Sequence, residues 1–184
     1  MKIVLPTLET ERLRLRKISL ADADHIFAYA CHEKVTEYVT WETHRSLADT
    51  KLFIAYIFEK YEKQTVAPWG IVCKETDKLL GTIDFVWWDS NQQKAEVGYA
   101  LAYDYWGKNI MTEALKAVIN FGFSKMDLVR IQGKCLGANK GFARVMEKAG
   151  LTYEGTKRKS FFLKGTHHDI KMYSIIDNEW QAQG

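Results

Sequence analysis

The sequence contains few of the residues that cross-link or interrupt a fold. It has 2 prolines and 3 cysteines in 184 residues, and no C-x-x-C motif. The odd number and wide spacing of Cys31, Cys73 and Cys135 indicate neither a disulfide framework nor a zinc site. There is no proline-rich linker, internal repeat or low-complexity run, so we expect one domain over residues 1–184.

Strong net charge and long apolar runs are also missing. The formal charge of +3 is too small to imply a nucleic-acid partner. The basic cluster "TKRKS" (156–160) is typical of a solvated loop or hairpin. No apolar run approaches the roughly 18 residues of a membrane span, and "MKIVLPTLETERLRLRK" lacks the apolar centre of a signal peptide. We therefore expect a cytoplasmic protein without a nucleic-acid or membrane partner.

Several motifs that mark catalytic or nucleotide sites are absent. The sequence contains no G-x-G-x-x-G, no G-x-x-x-x-G-K-[ST], no H-E-x-x-H and no G-x-S-x-G. His167, His168 and Asp169 are adjacent, but neighbouring strand residues point to opposite faces, which disfavours a metal clamp. We expect a surface turn there and no metal site.

Hydrophobic periodicity predicts an alternation of strands and helices. Helices are predicted at 19–32, 46–63, 108–126 and 139–150, and strands at 11–17, 67–75, 78–88, 94–103, 129–135, 152–165 and 167–176. Ser46 and Asp49 have the spacing of a capping box. The order predicts an α+β fold, with a mixed, mostly antiparallel sheet of about seven strands flanked by about four helices.

The segment "YWGKNIMTEA" (105–114) is unusual because it places glycine and asparagine at the entrance to a helix. Gly107 and Asn109 both tolerate left-handed backbone angles. Such a turn is either an ordinary connection or a concavity that presents backbone N–H groups to a phosphate. Glu96, on the preceding strand, shares a face with Gly98, Ala100 and Ala102. It is either a strand-edge residue that reaches water or a functional carboxylate.

The stretch "EVGYALAYDYWGKNIMTEAL" resembles the acetyl-CoA-binding core of the GNAT acetyltransferase superfamily. "LETERLRLR", "GKCLGANKGFARVMEKAGLTYEGTKR" and "HHDIKMYSI" resemble the RimJ/RimL-like branch of ribosomal-protein N-acetyltransferases. The likeness covers nearly the whole chain in order. It implies a GNAT fold whose sheet splays at the fourth and fifth strands (94–103 and 129–135). It also implies acetyl-CoA as co-substrate and direct transfer to a primary amine, either a protein N-terminus or a small molecule.

The resemblance also assigns roles to residues. It implies that Glu96 is a general base acting through water and that the N–H near Leu101 meets the oxyanion. The expected cofactor contacts are Leu101, Ala102, Trp106, Gly107, Lys108, Asn109, Ile110, Met111, Thr112 and Asn139. The family pattern is not complete, because Asp104 stands at its Arg/Gln position, Asn109 at its second small position and Phe142 at its serine.

Two points stay open at this stage. The missing serine at position 142 leaves a non-catalytic acyl-CoA-binding or sensing module as the alternative function, and a basic interaction domain using "TKRKS" as a third. Aromatic residues fall in segments near the family's acceptor cleft, where they either line a groove or pack: Trp41, Trp69, Phe85, Trp87 and Trp88. The apolar C-terminal strands are compatible with a homodimer but do not require one.

Overall fold

The computed structural model describes residues 5–182. Its strands are β1 (Leu8–Glu9), β2 (Leu13–Lys17), β3 (Trp69–Cys73), β4 (Leu79–Asp89), β5 (Lys94–Leu101), β6 (Arg130–Leu136), β7 (Thr152–Leu163) and β8 (Thr166–Ile176). Its helices are α1 (Ala23–Ala30), α2 (Glu33–Thr36), α3 (Leu47–Glu62), α4 (Ile110–Lys125), α5 (Lys140–Lys148) and α6 (Asp177–Gln181).

The strands form one mixed sheet in the order β1-β2-β3-β4-β5-β6-β8-β7. Only β5 and β6 are parallel neighbours, and α4 connects them as a crossover helix, as the sequence predicts. The sheet has eight strands rather than about seven because residues 8–9 add a short edge strand next to β2. The predicted α+β GNAT fold is confirmed.

The number of helices differs more than the number of strands. The helix predicted at 19–32 is divided: a 3-10 turn (Leu20–Asp22) precedes α1, and a break at Cys31 precedes α2. The break has a local cause, because the extended His32 accepts the N–H of Lys34 at its Nδ1 (3.3 Å) and starts a new helix. The short α6 follows β8 and was not predicted.

Each face of the sheet has its own hydrophobic core. The larger core lies between the sheet and helices α4 and α5 and includes Leu15, Leu115 and Met146. The smaller core lies on the opposite face, under α1 and α3, and includes Ile26 and Ile54. The predicted capping box starts α3: Ser46 Oγ accepts the N–H of Asp49, whose carboxylate accepts the N–H of Ser46.

The parallel pair β5–β6 opens part-way along its length. Paired positions run from Lys94/Arg130 to Val97/Gly133, but β5 continues to Leu101 and β6 to Leu136. Beyond Val97 the two strands are therefore separated, which confirms the predicted splay. A strand end with free backbone groups next to a helix N-terminus is a natural place for a ligand.

Two of the five aromatic residues that either line a groove or pack are core residues. Trp69 and Phe85 are buried in the larger core, which favours packing over a groove for these two aromatics. "TKRKS" lies in the exposed middle of β7, within the β7–β8 hairpin.

Within residues 5–182 no helix is both long and apolar enough to cross a membrane. The same residues contain no group of three or more His, Cys, Asp or Glu side chains suited to a metal ion.

Candidate active site

A cleft of about 540 Å³ opens where β5 and β6 separate. Its walls come from α2 and the turn after it, the end of β5, the start of α4 and the first turns of α5. A cavity of about 900 Å³ lies elsewhere, between the β1 segment, α4 and Trp180, and has no lining residue in common with the cleft. The cleft adjoins the splay, so it is the candidate active site.

The turn before α4 has the backbone shape that the sequence predicts. Gly107 has φ +74° and Asn109 has φ +58°, both in the left-handed region. No described residue accepts a hydrogen bond from the backbone N–H groups of residues 107–112, and the first such bond runs from Glu113 to Asn109. These N–H groups point out of the N-terminus of a 16-residue helix, where the helix dipole favours an anion.

Most of the predicted cofactor residues meet at this cleft. Those that line it are Leu101, Trp106, Gly107, Asn109, Ile110, Met111, Thr112 and Asn139. Ala102 does not, because its N–H donates to Leu80 and its side chain packs against the smaller core. Lys108 does not line it either, since its ammonium lies over the Tyr105 ring, 5.2 Å from the centroid.

The end of β5 directs backbone groups into the opening. The N–H of Ala102 donates to Leu80 (2.8 Å) on the β4 side. In an antiparallel pair successive residues turn their peptide groups to alternate sides, so the N–H and C=O of Leu101 face the side that β6 has left. The Leu101 carbonyl accepts the indole N–H of Trp106 there (2.8 Å). The N–H of Leu101 is thus a donor within the splay.

Phe142 makes a compact aromatic contact in the cleft. Its ring stacks on Tyr99 with a centroid separation of 3.8 Å and an interplanar angle of 7°. The Tyr99 hydroxyl donates to the Phe142 carbonyl (2.9 Å), and burial raises the pKa of Tyr99 well above 10. Asn139 caps α5 by accepting the N–H of Phe142 (3.0 Å). Tyr99 is therefore a poor proton donor at neutral pH.

A basic ridge on α5 forms part of the cleft and was missed from the sequence. Lys140, Arg144 and Lys148 are spaced four residues apart, so they lie on one side of the helix, and all three line the cleft. Lys148 Nζ donates to Asn109 Oδ1 (2.8 Å), which links the ridge to the turn. The helical spacing of the basic residues was visible in the sequence and is the signal that identifies them.

Glu96 is neither isolated nor at a water-exposed edge, so that part of the sequence interpretation is wrong. It is 4% exposed and does not line the cleft. Its Oε1 pairs with Lys134 Nζ (2.9 Å), and its Oε2 accepts from Gln132 Nε2 (2.9 Å). Both partners are on β6, where Gln132 is opposite Glu96 in the parallel register. Glu96 is thus a paired carboxylate at the base of the splay.

A second carboxylate, Asp84 on β4, lies close to the splay and was missed from the sequence. Asp84 is opposite Gly98 of β5 and is partly exposed. Burial raises its pKa to about 6. It is the only charged residue between Leu79 and Trp88, a run of ten residues that otherwise reads as a buried strand. A single acidic residue inside such a run is the sequence signal by which Asp84 could have been identified.

Comparison with known proteins identifies the family. The model of the acetyltransferase (GNAT) domain matches residues 12–152. The chain belongs to the GNAT acetyltransferase family. It is 32% identical over 173 residues to the uncharacterized N-acetyltransferase YoaA of Bacillus subtilis, covering 94% of this chain and 98% of YoaA. GNAT acetyltransferases use acetyl-CoA, so the chain is an acetyltransferase with acetyl-CoA as its co-substrate.

Two further likenesses define the branch and the fold of this GNAT protein. It is 31% identical over 104 residues to the ribosomal-protein-serine acetyltransferase of Escherichia coli, covering 56% of this chain and 58% of that protein. A GNAT-family acetyltransferase from Bacillus anthracis superposes with a TM-score of 0.85 at 25% identity, over 94% of this chain and 99% of the other. The chain thus belongs to the RimJ/RimL-like branch.

Proposed function

We propose that this GNAT enzyme, acting as one domain over residues 1–184, transfers the acetyl group of acetyl-CoA directly to a primary amine. The observation that carries the proposal is the row of unbonded N–H groups at residues 107–112, which opens into the cleft beside the splayed strands. These donors and the basic ridge suit the pyrophosphate of CoA, and Asn139 is close enough in the cleft to contact its pantetheine arm. The thioester then reaches the opening between β5 and β6.

The reaction needs a neutral amine at the thioester. An ammonium group first loses a proton, and the nitrogen lone pair then attacks the acetyl carbonyl carbon to form a tetrahedral intermediate with the negative charge on oxygen. When this oxyanion collapses, the C–S bond breaks. The nitrogen releases its second proton, and CoA leaves as a thiolate that takes up one proton. In this proposal Glu96 accepts the amine proton through water, and the N–H of Leu101 stabilises the oxyanion.

Water is the proposed proton source for the thiolate. Phe142 occupies the family's serine position and carries no proton to donate. The neighbouring Tyr99 hydroxyl already donates to the Phe142 carbonyl (2.9 Å). The open splay allows solvent to reach the sulfur instead, and a thiol with a pKa of about 8.5 is mostly protonated at neutral pH, so proton exchange with bulk water is enough to neutralise the thiolate.

The acceptor belongs to one of two classes. A free α-amino group has a pKa of about 7.7–8.0, so a protein N-terminus needs less help to become neutral than a lysine at about 10.4. The name of the Escherichia coli relative, a ribosomal-protein-serine acetyltransferase, supports a protein N-terminus. Small amines fit the same chemistry and remain the second class within the proposal.

The binding half of the proposal is tested by thermal unfolding with acetyl-CoA. At 100 times Kd a ligand adds about 2.7 kcal/mol to the free energy of unfolding, which at this size raises Tm by roughly 5–10 °C. ADP-ribose, which has a pyrophosphate but no pantetheine arm, is the control and is expected to give a smaller shift. No shift with acetyl-CoA would contradict both the enzyme and the sensing alternative.

The catalytic half is tested by the release of free thiol with a panel of amines. The panel contains Ser-Ala-Ala-Ala amide, spermidine and lysine amide, with a no-amine control for hydrolysis. Thiol release that depends on one amine, with the acetylated product seen by mass spectrometry, supports the enzyme. Binding without transfer to any panel amine instead favours the non-catalytic acyl-CoA-sensing module that Phe142 suggests.

Location and assembly form a smaller part of the proposal. A cytoplasmic location is supported by the free thiols of Cys31, Cys73 and Cys135, and cell fractionation with an antibody tests it.

The homodimer stays a prediction. The edge strand β7 is exposed along most of its length and is the strand with which a second copy would pair. Sedimentation at micromolar concentration measures the oligomeric state.

A further inference from the structure

Asp84 lies where the two parallel strands begin to separate. It is opposite Gly98, and Gly98 directly follows Val97, the last residue of β5 that pairs with β6. The residues of β5 that line the cleft start at the next position, Tyr99. Asp84 does not itself line the cleft, but it lies on β4 directly opposite the residue at which the splay begins, one strand away from the opening.

Within residues 5–182 the Asp84 carboxylate forms no hydrogen bond and no ion pair, whereas Glu96 has a partner for each oxygen. Burial raises the pKa of Asp84 to about 6, and Lys60 is close enough only to offset part of that rise. The Lys60 ammonium lies over the Tyr56 ring, 5.0 Å from the centroid. Keeping a partly desolvated carboxylate without a neighbouring cation costs free energy. The site therefore favours the binding of a cation from outside the protein.

The titratable groups around Asp84 on its face of the sheet come from α1, α3 and β5. From α3 they are Lys60 and Tyr61, and burial raises the pKa of Tyr61 to about 12. From α1 the nearest phenol is Tyr29, whose pKa is also raised by burial, so both phenols stay neutral. From β5 the titratable group is Glu96, whose charge Lys134 already offsets. Among residues 5–182, Asp84 is therefore a carboxylate on this face whose charge is offset only in part, by Lys60.

Gly98 leaves space in front of this carboxylate. A Cβ at position 98 would stand 3.3 Å from Asp84 Oδ1 and 3.4 Å from Val86 Cγ2. With hydrogen in its place, Gly98 puts no side chain against the Asp84 oxygen. Asp84 and Gly98 lie on the sheet face under α1 and α3, which carries Ala100 and Ala102, opposite the face that carries α4 and α5.

We propose that Asp84 binds the ammonium group of the acceptor and holds it beside the thioester, an inference that rests on the function proposed above. The matching class of acceptor is a cationic primary amine without a carboxylate on the same carbon, such as a peptide N-terminus or a polyamine. A free amino acid would bring its own carboxylate towards Asp84 and be repelled. Asp84 is a binding residue in this scheme, and proton removal stays with Glu96 and water.

The test compares Asp84→Asn with wild type on the panel amines. The variant has the same shape and no charge, so KM for the amine is expected to rise about 10- to 100-fold, the usual loss for a hydrogen bond to a charged group. The kcat is expected to change less than about threefold, and the acetyl-CoA melting shift not at all. Glu75→Gln, an exposed acid in the β3–β4 turn, is the charge-matched control and is expected to behave as wild type.

The pH profile separates binding from a structural role. As pH falls below about 6, protonation of Asp84 removes the charge that binds the ammonium, so kcat/KM of wild type is expected to fall. Because the neutral fraction of the amine falls with pH in both proteins, the quantity compared is the ratio of kcat/KM in wild type to kcat/KM in Asp84→Asn, which is expected to decline below about pH 6. Serine amide and free serine give a second contrast: wild type is expected to prefer the amide by about tenfold or more, and the variant to lose much of that preference.

Folding is not expected to limit the experiment. The raised pKa means that ionised Asp84 destabilises the folded state above about pH 6, and that this penalty disappears below about pH 4. Asp84→Asn is therefore expected to melt about 2–5 °C above wild type at pH 8. If the variant nevertheless fails to fold, Gly98→Ala supplies the same test, because its Cβ crowds Asp84 Oδ1 and is expected to raise KM for the amine.

The outcomes separate this inference from the function on which it rests. An unchanged amine KM in Asp84→Asn, with an intact acetyl-CoA shift and normal transfer in wild type, overturns the role of Asp84 alone. A ratio of wild-type to variant kcat/KM that stays constant as pH falls below about 6 does the same. No acetyl-CoA shift in wild type, or no transfer to any panel amine, contradicts the proposed transferase and the Asp84 inference together.

Discussion

The proposed cofactor cleft and the proposed acceptor face of this protein are built in different ways. The cleft takes its main donors from consecutive backbone N–H groups at residues 107–112, and its shape depends on two residues with positive φ. The acceptor face is built from side chains on three strands, with Asp84 on β4, Glu96 on β5 and Lys134 on β6. A backbone cradle tolerates side-chain replacement, whereas a cluster of charged side chains depends on each member.

This contrast predicts that mutations at the cleft and mutations on the acceptor face affect different measurements. Changes at the turn are expected to weaken acetyl-CoA binding, and changes on the acceptor face to alter the amine reaction. An effect of a turn mutation on the amine reaction, or of an acceptor-face mutation on acetyl-CoA binding, would weaken the contrast.

Glu96→Gln is expected to have the largest effect. Loss of the base is expected to lower kcat with the best panel amine by roughly 10²–10³, while the acetyl-CoA melting shift stays within about 1 °C of wild type. Steady-state thiol release measures the first quantity and thermal unfolding the second. Turnover close to wild type would remove Glu96 from the chemistry and leave it as the buried partner of Lys134 and Gln132.

Asn109→Val tests the backbone cradle. A β-branched residue at φ +58° is strained by about 1–3 kcal/mol, so acetyl-CoA affinity is expected to fall roughly 5- to 100-fold. Asn109→Gly, which accepts the same angle and also loses the contact with Lys148, is the matched control and is expected to bind within a few-fold of wild type. Isothermal titration gives both affinities. Equal loss in the two variants would mean that the Asn109 side chain matters more than the backbone angle.

Lys148→Ala tests the basic ridge of α5. The side chain is exposed, so a single charge contact is worth about 0.2–1 kcal/mol, and acetyl-CoA affinity is expected to fall about two- to fivefold. The difference from wild type is expected to shrink at 0.5 M salt, since screening weakens exposed charge pairs. Lys125→Ala, in the last turn of α4 and outside the cleft, is the control. A loss that persisted at high salt would indicate packing rather than charge.

Arg130→Gln tests the stability of the acceptor face and is expected to have the smallest effect. The Arg130 guanidinium forms a two-pronged ion pair with Glu154 (2.7 and 2.6 Å) and lowers the pKa of Glu154 to about 2. A lowered pKa stabilises the fold above about pH 4.5, and this contribution is lost as pH falls towards 2. The pair is partly exposed, so solvent screening limits it to less than about 1 kcal/mol, or about 2–4 °C in Tm at pH 7.

The pH dependence gives this last prediction its control. The Tm difference between wild type and Arg130→Gln is expected to narrow between about pH 4.5 and pH 2. Acetyl-CoA affinity at pH 7 is expected to be the same in both proteins, because Arg130 does not line the cleft. A constant Tm difference across the pH range would show that Arg130 stabilises the sheet by packing and not through the Glu154 charge.

Features that depend on neighbouring residues were predictable from the sequence. The capping box of Ser46 and Asp49, the β7–β8 hairpin and the left-handed turn before α4 each depend on residues within about six positions of one another. Glycine and asparagine both tolerate left-handed backbone angles, and few other structural requirements would place them together at a turn. Alternating strand periodicity likewise placed Glu96 on the face opposite Tyr99, although it did not reveal what Glu96 contacts.

The partners on the acceptor face required the tertiary structure. The pairing of Glu96 with Lys134 depends on which strands are neighbours and on the parallel register Glu96/Gln132, which no local pattern encodes. Asp84 gains its position only because β4 pairs with β5 in a register that puts it opposite Gly98. Whether a carboxylate has an ion-pair partner depends on contacts between segments that are distant in the sequence. Local residue types therefore determine the turn before α4. The strand register decides which of the two carboxylates, Asp84 or Glu96, has an ion-pair partner.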